Sequence, residues 1–197
     1  MSAPLSIGYD RHNRYRNFNR NRLPSLTRSW LQDQIMSFTI RPVNPEDCET
    51  ILSLIRELAV YEKMLDEVVA TPEMIRESLF GDRPDAECLL AEVDGDCVGF
   101  ALYFFNYSTF LGRQGLYLED LFVQPEFRKQ GIGKALFKKV AEVAVERNCG
   151  RMEWSVLDWN EPSIEFYKSM GAEAMEEWTV YRLTGERLKS INKIDSV

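Results

Sequence analysis

Two carboxylates stand side by side in the run LYLEDLFV, at Glu119 and Asp120. Shortly after them, RKQGIG sets Gly131 and Gly133 among Arg128, Lys129 and Lys134. A carboxylate can stabilise a cationic substrate and take its proton. In a strand, however, neighbouring side chains point to opposite faces, so only one of this pair faces a cleft unless a bulge breaks the alternation. The glycines pose a second question, because glycine in a helical stretch costs about 1 kcal/mol relative to alanine. They serve either a tight turn or the approach of an anion to the unpaired opening N–H groups of a helix, where Arg128, Lys129 and Lys134 would add cationic donors. The pattern is neither the G-x-G-x-x-G of a Rossmann unit nor a Walker A loop.

The elements that position these residues follow from periodicity and caps. SFTIRPV (37–43) alternates as a strand. A helix follows from Asn44 to Lys63, with Asn44 as cap, Pro45 at its first position and Ile51, Leu54, Ile55 and Leu58 on its buried face. Thr71 and Pro72 open a second helix over 71–80. AECLLAEVDGDCVGFALYFFNYS reads as two antiparallel strands joined at Asp94-Gly95. QGLYLEDLFV is the next strand, followed by a helix over 131–147 with Ile132, Leu136, Val140, Val143 and Ala144 inward. RMEWSVL reads as a strand, NEPSIEFYKSM as a short helix with Gly171 behind it, and EEWTVYRL as a closing strand. The order predicts an α/β fold with an antiparallel start and at least one βαβ crossover.

Charge divides the chain. Residues 1–36 carry six arginines against Asp10 and Asp33, whereas residues 37–197 are strongly acidic, at a net charge of −11. An acidic body favours cationic partners and disfavours nucleic acid. The Arg/Asn-rich stretch 1–36 lacks periodicity and is read as a disordered extension preceding a single domain over 37–197. Its acid-poor character leaves organelle targeting open; otherwise a cytoplasmic protein is expected. The only histidine, His12, lies in that extension. His-based triads and His-containing zinc sites are thereby removed from the body, and no metal is expected. Cys48, Cys88, Cys97 and Cys149 are scattered without ligand spacing and read as free thiols. No run reaches the roughly 20 apolar residues of a membrane span.

The R-x-x-G-x-G turn resembles the acetyl-CoA pyrophosphate loop of the GCN5-related N-acetyltransferases. ELAVYEKM, YLEDLFV and WNEPSIEFYKSMGA, in that order, resemble the diamine (spermidine/spermine) and thialysine branch of that superfamily over about residues 37–185. The resemblance implies a mixed, mostly antiparallel central sheet flanked by helices, acetyl-CoA as cosubstrate, a small cationic amine as acceptor, and a homodimer. It also implies site residues. Leu121, Phe122 and Val123 would offer backbone groups to the pantetheine arm. Lys129, Gln130, Gly131, Ile132, Gly133 and Lys134 would wrap the pyrophosphate beside Arg128. Asn160, Glu161, Pro162 and Ser163 would line the cofactor's far side.

Transfer to an amine needs a neutral nitrogen, yet an amine near pKa 10.4 arrives protonated. With no histidine in the body, Glu119 is the candidate for removing that proton, through ordered water. By resemblance Tyr167 would protonate the departing thiolate, and the N–H near Leu121 would face the developing oxyanion. Tyr61, Glu62, Glu119, Asp120, Glu153, Trp154, Ser155 and Glu177 would contact the acceptor. Ser108 stands where the spermidine/spermine enzymes carry an acid, which favours thialysine or a short diamine over long polyamines. Transfer to a protein or peptide amine, or acyl-CoA binding without catalysis, are the competing readings.

Overall fold

The computed structural model describes residues 37–191, which form two compact units meeting at Met152/Glu153. The extension over 1–36, with His12, lies outside the described residues. In the first unit β1 (Phe38–Pro42), β2 (Glu87–Val93), β3 (Asp96–Ser108) and β4 (Arg113–Val123) pair antiparallel in sequence order. The β2–β3 hairpin turns at Asp94 (φ 51°) and Gly95 (φ 94°), the paired left-handed conformations of a two-residue turn. A short β5 (Met152–Glu153) begins beside β4 at the end of this unit. Gly150 N–H donates to Gln114 O at 2.8 Å and Leu116 N–H to Arg151 O at 3.0 Å. The partners ascend together along both segments, the sense of a parallel crossover.

Helices cover the sheet because alternate strand residues are apolar on both faces. On one face α1 (Cys48–Glu62) and α2 (Pro72–Phe80) bury Ile51, Leu54, Ile75 and Leu79 with Leu90, Phe100 and Phe122. Phe100 and Phe122 lie on adjacent strands with ring centroids 6.4 Å apart. α3 (Ile132–Glu146) buries Ile132, Leu136, Phe137, Val140 and Ala144. No described helix is long and apolar enough to cross a membrane, and the four cysteines are free thiols.

Local chemistry fixes the start of α1. Asn44 Oδ1 accepts from Glu46 N–H at 2.9 Å, and the Asp47 carboxylate accepts from Asn44 N–H at 2.7 Å, a reciprocal cap. Arg41 on β1 grips Asp47 with two nitrogens, at 2.7 and 2.8 Å, and reaches Glu92 on β2 at 2.8 Å. The guanidinium holds the Asp47 carboxyl below the usual carboxylate range. The tie fastens the helix to the sheet edge.

The second unit holds α4 (Glu161–Ser169) and α5 (Gly185–Ser190). Gly171 (φ 87°) ends α4 as expected. Two strand expectations fail here. RMEWSVL forms a strand only at Met152–Glu153, and EEWTVYRL forms none. Trp178, Val180 and Tyr181 are exposed instead. β-propensity supplies a surface suited to pairing, but a strand exists only where a neighbour takes up its N–H and C=O groups.

Candidate active site

The glycine turn lies where it was expected, between β4 and α3. Gly131 is the N-cap residue at φ 87°, and Lys129 before it is also left-handed, at φ 63°. Gly131 therefore answers a backbone need. Gly133 does not. Its φ is ordinary, and an added Cβ would make only a 3.7 Å contact with Val123. No side chain caps α3 and no acid occupies its first turn. The chain's own packing thus leaves Gly133 bare at the positive end of a helix dipole, which suits an anion drawn close to the backbone.

Arg128 is committed elsewhere in part. Its Nε donates to Val123 O at 2.8 Å, and its guanidinium carbon sits 4.6 Å from the Tyr61 ring centroid and 5.6 Å from that of Phe122. The side chain thus pins the turn to the end of β4 and to α1. Tyr61 supplies the stacking face for this clamp. Lys129, Gln130 and Lys134 are exposed around the turn, Ile132 is buried beneath it, and Leu121 lies part-buried beside buried Phe122 and Val123.

The acid pair is rearranged by a bulge. Leu102 pairs with Asp120, but the next β3 residue, Tyr103, pairs with Leu118, so Glu119 is an extra residue in β4. Asp120 lies opposite Leu102 on the α1/α2 face, in one cross-strand row with Cys88. Glu119 and Leu102 line the same cavity on that face. Both carboxylates therefore face the same side, the exception that strict alternation would forbid. Glu119 is exposed and Asp120 part-buried. Burial, then Glu119 and Glu62, pushes the Asp120 carboxyl up to about 7. Burial also raises Glu62, which ends α1 directly after Tyr61. The sequence reading assigns Asp120 only to acceptor binding; its hydrophobic flank in LEDLFV is the available sign of desolvation.

In the second unit, Asn160 is buried before α4, its carbonyl accepting from Ser163 and Ile164 N–H at 3.0 Å each. Glu161 and Pro162 open the helix and are exposed, while Ser163 is part-buried. Tyr167 packs against Trp154 with centroids 4.9 Å apart and against Phe166 at 5.3 Å. Glu153 is part-buried, and Ser155 and Glu177 are exposed.

Residues 52–172 match the acetyltransferase (GNAT) family. The chain belongs to that family. It is 44% identical to the bovine (Bos taurus) thialysine N-epsilon-acetyltransferase over 163 residues, covering 77% of this chain and 95% of the relative. It is 34% identical to an L-ornithine N5-acetyltransferase of Arabidopsis thaliana, covering 79% and 88% respectively. An integron cassette protein of V. cholerae superposes with a TM-score of 0.68 at 28% identity, over 80% of this chain and 99% of that one. The mixed, mostly antiparallel sheet flanked by helices is the one the family resemblance implied.

In this GNAT acetyltransferase Ser108 has a local task. It is buried at the end of β3, where its hydroxyl accepts from Leu111 N–H at 3.3 Å and from Arg151 Nη1 at 3.4 Å. The residue braces the β3–β4 hairpin. Among the described residues no cluster of His, Cys, Asp and Glu suits a metal ion.

Asp120 gives a stability test. Its folded pKa lies above the unfolded value, so its contribution to stability is complete below about pH 4 and is lost as pH rises toward 7. Asp120→Asn should therefore gain stability on the wild type between pH 4 and pH 8, by about 2–4 kcal/mol. Urea unfolding at both pH values measures it, and a difference independent of pH would contradict the raised carboxyl.

Proposed function

We propose that both units serve one acetyltransferase domain that moves an acetyl group from acetyl-CoA to the primary amine of a small cationic acceptor. The observation that carries this reading is the uncapped start of α3 with its bare Gly133, standing beside a bulged acid pair in a chain of the GNAT family. The turn over 129–134 would hold the pyrophosphate, and acetyl-CoA supplies the thioester. Leu121, Phe122 and Val123 would present backbone to the pantetheine arm, and Asn160 to Ser163 would contact the cofactor.

The acceptor arrives as a cation. Glu62, Glu119 and Asp120 provide the opposing charge, with Glu153, Trp154, Ser155 and Glu177 assigned to the acceptor by resemblance. Exposed Glu119 takes the proton through water, because a group open to solvent can pass it on. Asp120, held near half-protonation at neutral pH, tempers repulsion within the pair. The neutral amine then attacks the acyl carbon within a ternary complex. By resemblance, the Leu121 N–H would face the developing oxyanion and Tyr167 would give its phenolic proton to the leaving sulfur. Thialysine or a short diamine ranks above spermine, since similar chains carry names that specify small basic amino acids.

A homodimer is part of this reading. The apolar residues of 176–183 are exposed, with Tyr181 at 92%, and a second copy would cover them. Light scattering at dilute and moderate concentration should give twice the chain mass; a monomer at both excludes it.

Gly133→Ala separates cofactor binding from folding. Alanine fits the first turn, so the variant should gain about 0.4–1 kcal/mol of stability while its CoA dissociation constant rises several-fold. Calorimetric titration with CoA and thermal unfolding check both halves. Unchanged affinity would remove the anion from this turn.

The reaction itself is tested by acetyl-CoA-dependent turnover of thialysine, putrescine, spermidine, spermine, lysine and a lysine peptide, with product identification. The small amines should lead. Glu119→Gln and Tyr167→Phe should each lower kcat by about 10²-fold or more. Dominant peptide turnover would overturn the acceptor class, and wild-type rates in either variant would remove that residue from catalysis.

A further inference from the structure

One cavity of the first unit extends the site beyond the acid pair. It is an open trough of about 580 Å³ between α2 and the sheet, walled by Met74 and Leu79 on one side and Leu102 and Phe104 on the other. Two carboxylate residues line this mainly apolar trough, Glu119 on β4 and Asp85 just before β2, with Ser78 the one other polar side chain. Strand β3 lies between them, so their backbones stand at least two inter-strand steps apart, on the order of 10 Å. Asp85 is fixed at its place. Its N–H donates to Ser78 O at 2.8 Å, tying the lead into β2 to the last turns of α2. A mainly apolar trough lined by two carboxylate residues with a strand between them matches a molecule with an aliphatic stem and two cationic groups.

We propose that this trough takes the aliphatic stem of the acceptor, and that Asp85 selects acceptors carrying a second cation at the end remote from Glu119. The inference rests on the proposed small-amine acceptor class and deepens it. The reacting amine lies at Glu119, where its proton is removed. The methylene stem lies along Leu102 and Phe104, losing water from both surfaces. The second ammonium meets Asp85 at the rim. Asp85 is exposed, so its pairing discriminates between acceptors by the modest factor of a solvated ion pair rather than by orders of magnitude. An acceptor with one amine and the same stem binds the trough but forgoes that contact.

The test compares putrescine with butylamine, which share stem length and differ in the second amine. Initial rates with acetyl-CoA give kcat/KM for each in the wild type, Asp85→Asn, Asp82→Asn and Glu177→Gln. In Asp85→Asn the putrescine/butylamine ratio should fall about two- to fivefold through KM, with butylamine unchanged. Asp82 is an exposed neighbour that does not line the trough, so Asp82→Asn should keep the wild-type ratio. Asp85→Glu retains the charge and should keep most of the discrimination. An unchanged ratio in Asp85→Asn, an equal loss for both amines, or a loss confined to Glu177→Gln would each overturn the assignment. A wild type that acetylates other amines but neither of these two would overturn it as well. A wild type that acetylates no amine would fell the acetyl-transfer reading too, whereas an active enzyme with an unmoved ratio sinks only the role of Asp85.

Discussion

A single surplus residue in β4 decides what the acid site can be. Between Leu118, which pairs with Tyr103, and Asp120, which pairs with Leu102, the strand carries Glu119 without a partner of its own. Leu118 is buried on the face of Tyr103, so strict alternation would return Asp120 to that side. The bulge turns Asp120 to the α1/α2 face while Glu119 remains there. Two adjacent carboxylates then share one environment, in which one is exposed and the other half-withdrawn from water. The Asp120 carboxyl is raised for that reason, burial acting first and repulsion from Glu119 second. A chain without the bulge would turn the two acids to opposite faces of the sheet.

The end of α1 depends on the same geometry. Its final residues, Tyr61 and Glu62, act in different directions. Tyr61 gives its ring to the Arg128 guanidinium, which steadies the turn before α3. Glu62 adds its charge to the field around Asp120. The helix stops there because Lys63 adopts a left-handed conformation, with Lys63 N–H donating to Val60 O and Met64 N–H to Ala59 O. Its position is held at the other end by the Arg41–Asp47 pair and midway by Gln124, whose amide donates to Glu57 at 3.0 Å. The glycine turn and the acid pair are therefore set by one helix, fastened to β1 and to the residue that follows β4.

Much of this was legible in the chain. Asn44, Pro45, Thr71 and Pro72 marked two helix starts, Asp94-Gly95 marked the hairpin, and the apolar spacing of 132–144 marked the buried face of α3. These signals are local, and local chemistry fixes them. Cap hydrogen bonds span two or three residues, and the left-handed turn at Asp94-Gly95 needs nothing distant. The glycine turn was readable for the same reason, along with the two meanings it could carry.

What the sequence alone determined was the inventory: an acidic body without histidine, a glycine turn among bases, adjacent carboxylates and a family pattern. Tertiary structure decided how those groups divide the work. Gly131 meets a conformational demand while Gly133 meets none, a difference visible only once φ and the space around each Cα are known. Arg128 turns its Nε to a carbonyl and its plane to Tyr61, because distant segments place both within reach. The strand expected over 176–183 is absent, since pairing depends on a neighbour that no local propensity provides. The shared face of Glu119 and Asp120 comes from register against β3. Register is a relation between strands, and residue types within one strand do not contain it.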